Sequence, residues 1–139
     1  MIFERIRYGN LNSRQKESYN FHKVASILAD FGFNCIKLDD DWQGADFIAM
    51  HVNGEDYLKV QLKGRLVIDK KYIEKDIYIT FPYKKNWYFY PHDIVMKYLL
   101  ATTNIKNTKS WKVGGGYSFP SLNDHVFNYL QEYKLLDAV

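Results

Sequence analysis

The chain has 139 residues, of which 47% are hydrophobic and 25% are charged, with a formal net charge of +3. These values are typical of a folded globular protein and argue against a disordered chain. No stretch approaches the ~20 consecutive apolar residues of a transmembrane helix, and the first residues lack the pattern of a signal peptide. Because the single cysteine, Cys35, cannot form an internal disulfide, we expect one cytoplasmic domain over residues 1–139 with no membrane partner.

The first predicted element is a helix over about residues 13–31. Asn12 precedes it as an N-cap, and Gln15 stands three residues later in the capping-box position. Gly32 follows it, as is usual for a left-handed residue after a helix. Apolar residues recur between these ends at helical spacing, namely Phe21, Val24, Leu28 and Phe31.

Alternating and apolar segments then predict five strands. They cover residues 33–38, 46–52, 56–63, 76–81 and 87–90. A polar loop is expected at Asp39–Gly44, and Asn53-Gly54 is a strong signal for a hairpin turn.

The sequence of the C-terminal part predicts two helices and a loop. Pro91-His92-Asp93 opens a short helix that runs to about Ala101, and Gly114–Gly116 is expected to be a flexible loop. Ser121 is expected to cap a last helix, which carries Leu122, Val126, Leu130 and Tyr133 on one face. The whole order predicts an α/β or α+β domain with a mixed sheet flanked by helices.

The predicted hairpin has one polar face. If Asn53 and Gly54 form its turn, Ile48 lies opposite Lys59 and Asp46 lies directly opposite Gln61. A symmetric four-residue loop gives the same pairing, whereas a bulged three-residue loop would shift it by one residue. Cross-strand neighbours have Cβ atoms roughly 4.5–5.5 Å apart, and Lys63 points to the same side as Gln61. The opposite face is apolar and fixes the register; it carries Phe47, Ala49, Leu58, Val60 and Leu62.

This polar face has the chemistry of a metal site. Mg²⁺ takes oxygen ligands, usually one or two carboxylates with waters and substrate phosphate. Asp46 can supply the carboxylate, Gln61 a side-chain oxygen and Leu62 a backbone carbonyl. Lys63 can hold a scissile phosphate, orient the attacking water or help to deprotonate it. The acidic run Asp39–Asp41 could also bind a metal, but a solvated loop is the better interpretation.

Glu17 is a further candidate. It lies 4, 7 and 11 residues before Phe21, Val24 and Leu28, which predicts that it shares the buried face of the first helix. A carboxylate on an apolar face is costly unless it is paired or bound to a metal. A helix packed on the hairpin could direct Glu17 towards Asp46. A simple exposed helix residue is the alternative.

The segments Gly44-Ala45-Asp46-Phe47-Ile48-Ala49 and Val60-Gln61-Leu62-Lys63 resemble the active-site hairpin of the PD-(D/E)XK nuclease superfamily. That superfamily includes restriction endonucleases, Holliday-junction resolvases and some intron-encoded endonucleases. Its core of helix, three strands, helix and strand matches the chain as far as about Tyr90. Ala45 stands where the family has proline, and Gln61 stands where an acid is usual.

The resemblance implies a restriction-endonuclease-like fold and roles for individual residues. Asp46 and the residue at position 61 would bind Mg²⁺, and Lys63 would act on water or phosphate. Glu17 falls where some branches carry an acidic residue on the first helix. Some active branches have glutamine at the position of Gln61, and an inactive binding-only descendant is the alternative.

A basic stretch follows the motif. Between residues 59 and 85, eight basic and three acidic residues give a local charge of +5 (eight minus three). Such a stretch can neutralise nucleic-acid phosphates, although ordinary solvated lysines would give the same count. Arg65 is expected to bind the DNA backbone together with Lys59, Lys70 and Lys71.

These observations predict a nuclease that depends on Mg²⁺ or Mn²⁺ and cleaves DNA, with RNA left open as a substrate. Cutting both strands would need a homodimer, whose two-fold axis matches that of the duplex. Three alternatives remain open at this point. They are an inactive nucleic-acid-binding domain, a protein-interaction module that uses tyrosine-rich surface, and a simple ion pair between Asp46 and Lys63.

Overall fold

The computed structural model describes residues 2–136 and contains a six-stranded mixed sheet with helices on both faces, and a second, two-stranded sheet. The helices are α1 (Ser13–Asp30), α2 (His92–Thr102) and α3 (Asp124–Leu130). The strands are β1 (Phe33–Trp42), β2 (Ala45–His51), β3 (Tyr57–Leu62), β4 (Val67–Asp69), β5 (Ile77–Tyr83), β6 (Asn86–Pro91), β7 (Gly116–Ser118) and β8 (Lys134–Leu135). No helix in this part of the chain is long and apolar enough to span a bilayer.

The large sheet has the strand order β1-β2-β3-β5-β6-β8. All its neighbouring strands are antiparallel except β3 and β5, which run parallel. A parallel pair needs a crossover connection, and the segment with β4 and a 3-10 turn at Lys70–Tyr72 provides it. The predicted mixed sheet flanked by helices is confirmed, while the short strands β4, β7 and β8 were not predicted.

Helix α1 forms for the reasons that its sequence indicates. Asn12 Oδ1 accepts a hydrogen bond from the Gln15 backbone N–H (2.8 Å), and the Asn12 N–H donates to Gln15 Oε1 (2.9 Å), so the capping box is confirmed. Gly32 follows the helix with φ +87°. The buried residues of the helix pack against one face of the β2–β3 hairpin. They are Phe21, Val24 and Leu28 on the helix, and Phe47, Ala49 and Val60 on the hairpin.

The other face of the sheet is covered by α2 and α3. Helix α2 begins at His92, directly after Pro91, close to the predicted position. Its Val95 and Leu99 pack with Leu130 of α3 against Ile79 and other buried residues of the sheet. The two faces of the sheet therefore belong to two separate hydrophobic cores, with α1 on one side and α2 and α3 on the other.

The connection between β1 and β2 differs from the prediction. The polar loop expected at Asp39–Gly44 is wrong, because β1 continues to Trp42, which pairs with Ala45. Gln43 and Gly44 alone make the turn, with φ values of 51° and 88°. A two-residue turn with positive φ at both positions matches the twist of a hairpin, so the preceding polar residues can stay in the strand.

Two other turns are longer or later than predicted. The β2–β3 hairpin closes with a four-residue loop, since the His51 N–H donates to the Asp56 carbonyl (2.9 Å). Asn53 stabilises that loop by accepting hydrogen bonds from the Glu55 and Asp56 N–H groups. Helix α3 is capped by Asn123 rather than by Ser121, because Asn123 Oδ1 accepts from the Val126 N–H (2.9 Å).

The glycine run was also interpreted wrongly as a simple flexible loop. Gly116 begins β7 and pairs with Asp69 of β4. A Cβ atom at Gly116 would lie 2.7 Å from Oδ2 of the Asp69 side chain, so the glycine leaves room for the Asp69 carboxylate between the two strands. The run is therefore structural, and it joins the short sheet beside the turn at Lys70–Tyr72.

Candidate active site

The β2–β3 register places Asp46 opposite Gln61. Phe47 pairs with Val60 and Ile48 with Lys59, so the next residues along the ladder are Asp46 and Gln61, as the sequence predicted. Asp46 Oδ2 accepts a hydrogen bond from the Leu62 N–H (2.8 Å). This bond holds the half-buried carboxylate against the end of β3.

Gln61 carries an unsatisfied oxygen. Its side chain is 8% exposed, and Oε1 is buried without a hydrogen-bond partner from residues 2–136. An unpaired buried polar group costs about 1–3 kcal/mol, so a group from outside the protein that met this oxygen would recover that free energy. A hard divalent cation or a water bound to one would do so.

Asp41 joins this site, although the sequence favoured a solvated loop over a metal ligand for the run Asp39–Asp41. Lys37 pairs with Phe47 and Trp42 with Ala45, so four residues of β1 lie opposite Asp46 alone. The resulting bulge brings the Asp41 carboxyl close enough to Asp46 to raise the pKa of the Asp46 carboxyl. Bulges frequently re-aim a side chain beside an active site. Three consecutive aspartates ahead of a tight turn were the available signal, and they were assigned to a solvated loop.

The environment of Asp46 disfavours its charge. Burial raises the pKa of Asp46, the hydrogen bond from the Leu62 N–H lowers it, and Asp41 and Glu17 raise it again, which leaves the pKa at about 6. A carboxyl group with this pKa exchanges its proton close to neutral pH. A cation bound beside Asp46 would reverse the effect by stabilising the charged form.

Lys63 and Tyr72 stand beside the carboxylates. Tyr72 is 3% exposed, and the Lys63 and Lys71 Nζ atoms lie 5.9 and 5.2 Å from its ring centre. Burial and the charges of Asp69, Asp46 and Asp41 raise the pKa of Tyr72, so its hydroxyl stays protonated as a donor. Lys63 therefore approaches the same side of the hairpin as Asp46. No ion pair joins the two within the described chain, so a simple salt bridge does not account for them.

Glu17 is exposed, so its predicted position on the buried face of α1 is wrong. Phe21, one turn later, already packs on Phe47 near the start of β2, with ring centres 5.2 Å apart. Glu17 consequently lies at the margin of the sheet, in a cavity that Lys37 and Asp39 also line. Its charge still raises the pKa of Asp46, which places Glu17 near the site but outside its direct contacts.

The predicted DNA-binding residues separate into two groups. Lys71 lies against the ring of Tyr72, and Arg65 is exposed two residues beyond Lys63. Lys70 turns away, with Nζ 5.1 Å from the ring centre of Trp111. Lys59 donates to Gln43 Oε1 (3.3 Å) at the β1–β2 turn.

A metal at this site would depend on neutral oxygens. Within residues 2–136, no three side chains of His, Cys, Asp and Glu are arranged to hold an ion. A cation held by Asp46 would need the Gln61 side-chain oxygen and the Leu62 carbonyl to complete a set of oxygen ligands, with Asp41 beside them as a second negative charge. Such a set suits Mg²⁺ or Mn²⁺.

Comparison with known proteins supports the fold. No family model matches the sequence, and no curated protein matches it. The structure is similar to that of a bacterial homing endonuclease, I-Ssp6803I, with a TM-score of 0.52, 15% identity and 88% of each chain covered. A Holliday junction resolvase, Hjc from Archaeoglobus fulgidus, gives a TM-score of 0.45 at 18% identity over 57% of this chain and 75% of that chain. The chain has the restriction-endonuclease-like fold that its hairpin motif predicted.

Proposed function

We propose that this chain, built on a restriction-endonuclease-like fold, is a divalent-metal-dependent endonuclease that hydrolyses phosphodiester bonds in DNA. The observation that carries the proposal is the buried Oε1 atom of Gln61, which has no hydrogen-bond partner among residues 2–136; Gln61 lies directly across the hairpin from the half-buried carboxylate of Asp46. Without a bound cation, the buried Gln61 oxygen and the half-buried Asp46 carboxylate are both energetically unfavourable, and one cation would stabilise both.

Asp46, Gln61 Oε1 and the Leu62 carbonyl are the proposed ligands of Mg²⁺ or Mn²⁺. Asp41 and Glu17 add negative charge around them and attract the cation. When bound, such an ion supplies Lewis-acid polarisation of a phosphoryl oxygen and a more acidic water. The hydrogen bond from the Leu62 N–H to Asp46 keeps the second carboxylate oxygen in place.

Lys63 is proposed to bind the scissile phosphate and to orient the attacking water. Its ammonium group offers up to three donors and lies near Tyr72, whose protonated hydroxyl can donate to the same phosphate. Lys71 adds a second positive charge on this side. Arg65, Lys59 and Lys70 are proposed to contact the DNA backbone further from the reaction, where they add affinity without sequence preference.

The proposed activity also has consequences for the oligomeric state and the compartment. Cleavage of both strands calls for a homodimer, because a chain with one site cuts one strand at a time. The cytoplasm is the expected compartment, since Cys35 has no second cysteine with which to form an internal disulfide.

An inactive DNA-binding domain is the second candidate, and Gln61 in place of an acid is the observation that favours it. The test of activity is nicking of supercoiled plasmid by the purified protein in Mg²⁺ or Mn²⁺. We expect nicking that EDTA abolishes and that Asp46→Ala reduces to background. Asp30→Ala, at an exposed aspartate near the end of α1, is the matched control and should cut normally. Robust cleavage by the Asp46→Ala protein would refute the assignment of the site.

A further inference from the structure

A groove of about 640 Å³ opens between the first half of α1 and the turn that joins the end of β5 to the start of β6. Three aromatic side chains, Tyr8, Tyr19 and Trp87, contribute to its walls together with Lys23 and Lys85. No carboxylate from the described residues lines it. The volume lies within the range of ordinary ligand pockets, and the lining is aromatic and basic.

The exposed aromatic rings of this groove are held in place. Asn20 Nδ2 donates a hydrogen bond to the Tyr8 hydroxyl (2.8 Å), and the rings of Tyr8 and Tyr19 lie 5.4 Å apart. The Lys16 and Lys23 Nζ atoms lie 5.4 and 5.3 Å from the centres of the Tyr8 and Tyr19 rings. The two tyrosines are nevertheless 43% and 38% exposed, so each keeps ring surface available to a ligand.

The groove lies at the same end of the sheet as the candidate active site. Leu62 pairs with Thr80 and Pro82 pairs with Trp87, so the end of β3 lies beside Pro82 and Trp87. Gly64, which also lines the groove, directly follows Lys63, and consecutive Cα atoms are about 3.8 Å apart. Trp87 packs in the α1-side core, so the groove and the site occupy opposite faces of the sheet and meet at Lys63–Gly64.

The residues that line the groove suit one class of ligand. Aromatic rings with interspersed lysines bind unpaired nucleotides, because bases stack on the rings while the lysines neutralise the backbone. A duplex cannot use the rings in this way, since its base faces are stacked on each other. We infer that this groove binds a single-stranded DNA segment that continues from the strand held at Lys63, so the substrate carries unpaired nucleotides beside the cleavage position. The position relative to cleavage rests on the proposed function, whereas binding of single-stranded DNA to the groove does not.

The test measures binding without metal or cleavage. Fluorescence anisotropy in EDTA would compare a labelled 12-nucleotide oligo(dT) with a labelled blunt-ended duplex of two annealed strands, for the wild type and for Tyr8→Ala/Tyr19→Ala. Loss of stacking on two rings should weaken oligo(dT) binding by about tenfold or more and change duplex binding by less than about twofold. Tyr8→Phe/Tyr19→Phe keeps both rings and should retain the oligo(dT) affinity. Tyr57→Ala, at a tyrosine that is 58% exposed at the other end of the hairpin, is the matched control.

Several results would overturn the inference. They are no oligo(dT) binding by the wild type, unchanged oligo(dT) binding by the double alanine variant, and an equal loss for oligo(dT) and duplex. Thermal melts of each variant would verify folding, and Tyr8→Phe/Tyr19→Phe binding as weakly as the alanine variant would also contradict a stacking role. If the nuclease proposal fails but the groove is correct, plasmid nicking is absent while the selective loss of oligo(dT) binding persists.

Discussion

At the scale of single residues, Asp46 is a carboxylate in an environment that opposes its charge. Burial is the largest cause, and the hydrogen bond from the Leu62 N–H only partly offsets it. Asp41 then adds a second carboxylate nearby, which raises the pKa of Asp46 further. A site built to bind a cation is expected to contain such a group, because the cation supplies the missing positive charge only when it binds.

This environment predicts that Asp46→Asn stabilises the metal-free protein at pH 8. The pKa of Asp46 is raised from 3.8 to about 6, so its favourable contribution is fully present below about pH 4 and is lost as the pH rises through about 6. With 1.36 kcal/mol for each unit of pKa shift, discounted for partial exposure to water, the gain at pH 8 is roughly 1–2 kcal/mol. Urea unfolding in EDTA measures it.

The same experiment at pH 4 is the internal control. The two proteins should then differ far less in their free energies of unfolding, because the Asp46 carboxyl is protonated in the folded state and only partly ionised in the unfolded chain. If Asp46→Asn destabilised the protein at pH 8, Asp46 would instead be a structural residue that gains from its charge, and the metal-site interpretation would lose its main support.

At the scale of elements, Gly32 lies between α1 and β1 and contacts the turn end of the β2–β3 hairpin, which carries the site. It adopts φ +87°, and its carbonyl accepts a hydrogen bond from the Val52 N–H (2.9 Å). A Cβ atom at this position would lie 2.8 Å from His51 Nε2. Helix α1 therefore meets the turn end of the hairpin at a position that only glycine fits. This contact fixes how α1 lies along the strands.

Gly32→Ala should destabilise the protein by about 1–2 kcal/mol, the usual cost of a left-handed conformation for a residue with a Cβ atom. Gly9→Ala is the matched control, since no atom lies within 4 Å of a Cβ at Gly9 and its φ is not positive. Thermal unfolding of both variants beside the wild type measures the difference. Equal melting temperatures for the two variants would show that the position of Gly32 tolerates a side chain.

The elements also show what the sequence could predict. The capping box at Asn12, the β2–β3 register and the start of α2 follow from local hydrogen bonds and alternation, and each was predicted correctly. The bulge that brings Asp41 to Asp46 was not, because it depends on how β1 pairs with β2 across a turn that looked like part of a longer loop. Tyr72 was missed for a similar reason, since a tertiary contact brings its turn back over the hairpin.

At the scale of the whole molecule, the charge is distributed unevenly. The net charge is +3, but positive side chains gather around the site, where Lys63 and Lys71 lie against Tyr72, and around the groove, where Lys23 and Lys85 are found. Nucleic-acid binding through such residues releases counterions from the phosphates. A protein-interaction module would have no reason to depend on salt in this way.

DNA affinity should therefore fall steeply with salt, in proportion to the number of phosphates that the protein neutralises. Charge reversal at Lys70 and Lys71 should weaken binding to all DNA sequences alike and reduce the salt slope by about one for each phosphate that is no longer neutralised. Charge reversal at Lys109 and Lys112, which lie outside the basic stretch, is the control. Anisotropy titrations between low and moderate salt measure the slope, and a flat response would favour the interaction module.

Gln61 tests the account most directly, because it is the residue where an acid is usual and its oxygen lacks a partner among the described residues. The decisive measurement is a metal titration of plasmid cleavage by wild type, Gln61→Glu and Gln61→Ala side by side. We expect wild type to cut at modest metal affinity, Gln61→Glu to bind metal more tightly and keep measurable cleavage, and Gln61→Ala to lose most activity. Equal activity of wild type and Gln61→Ala at every metal concentration would contradict the account, as would a wild type that cuts with neither Mg²⁺ nor Mn²⁺.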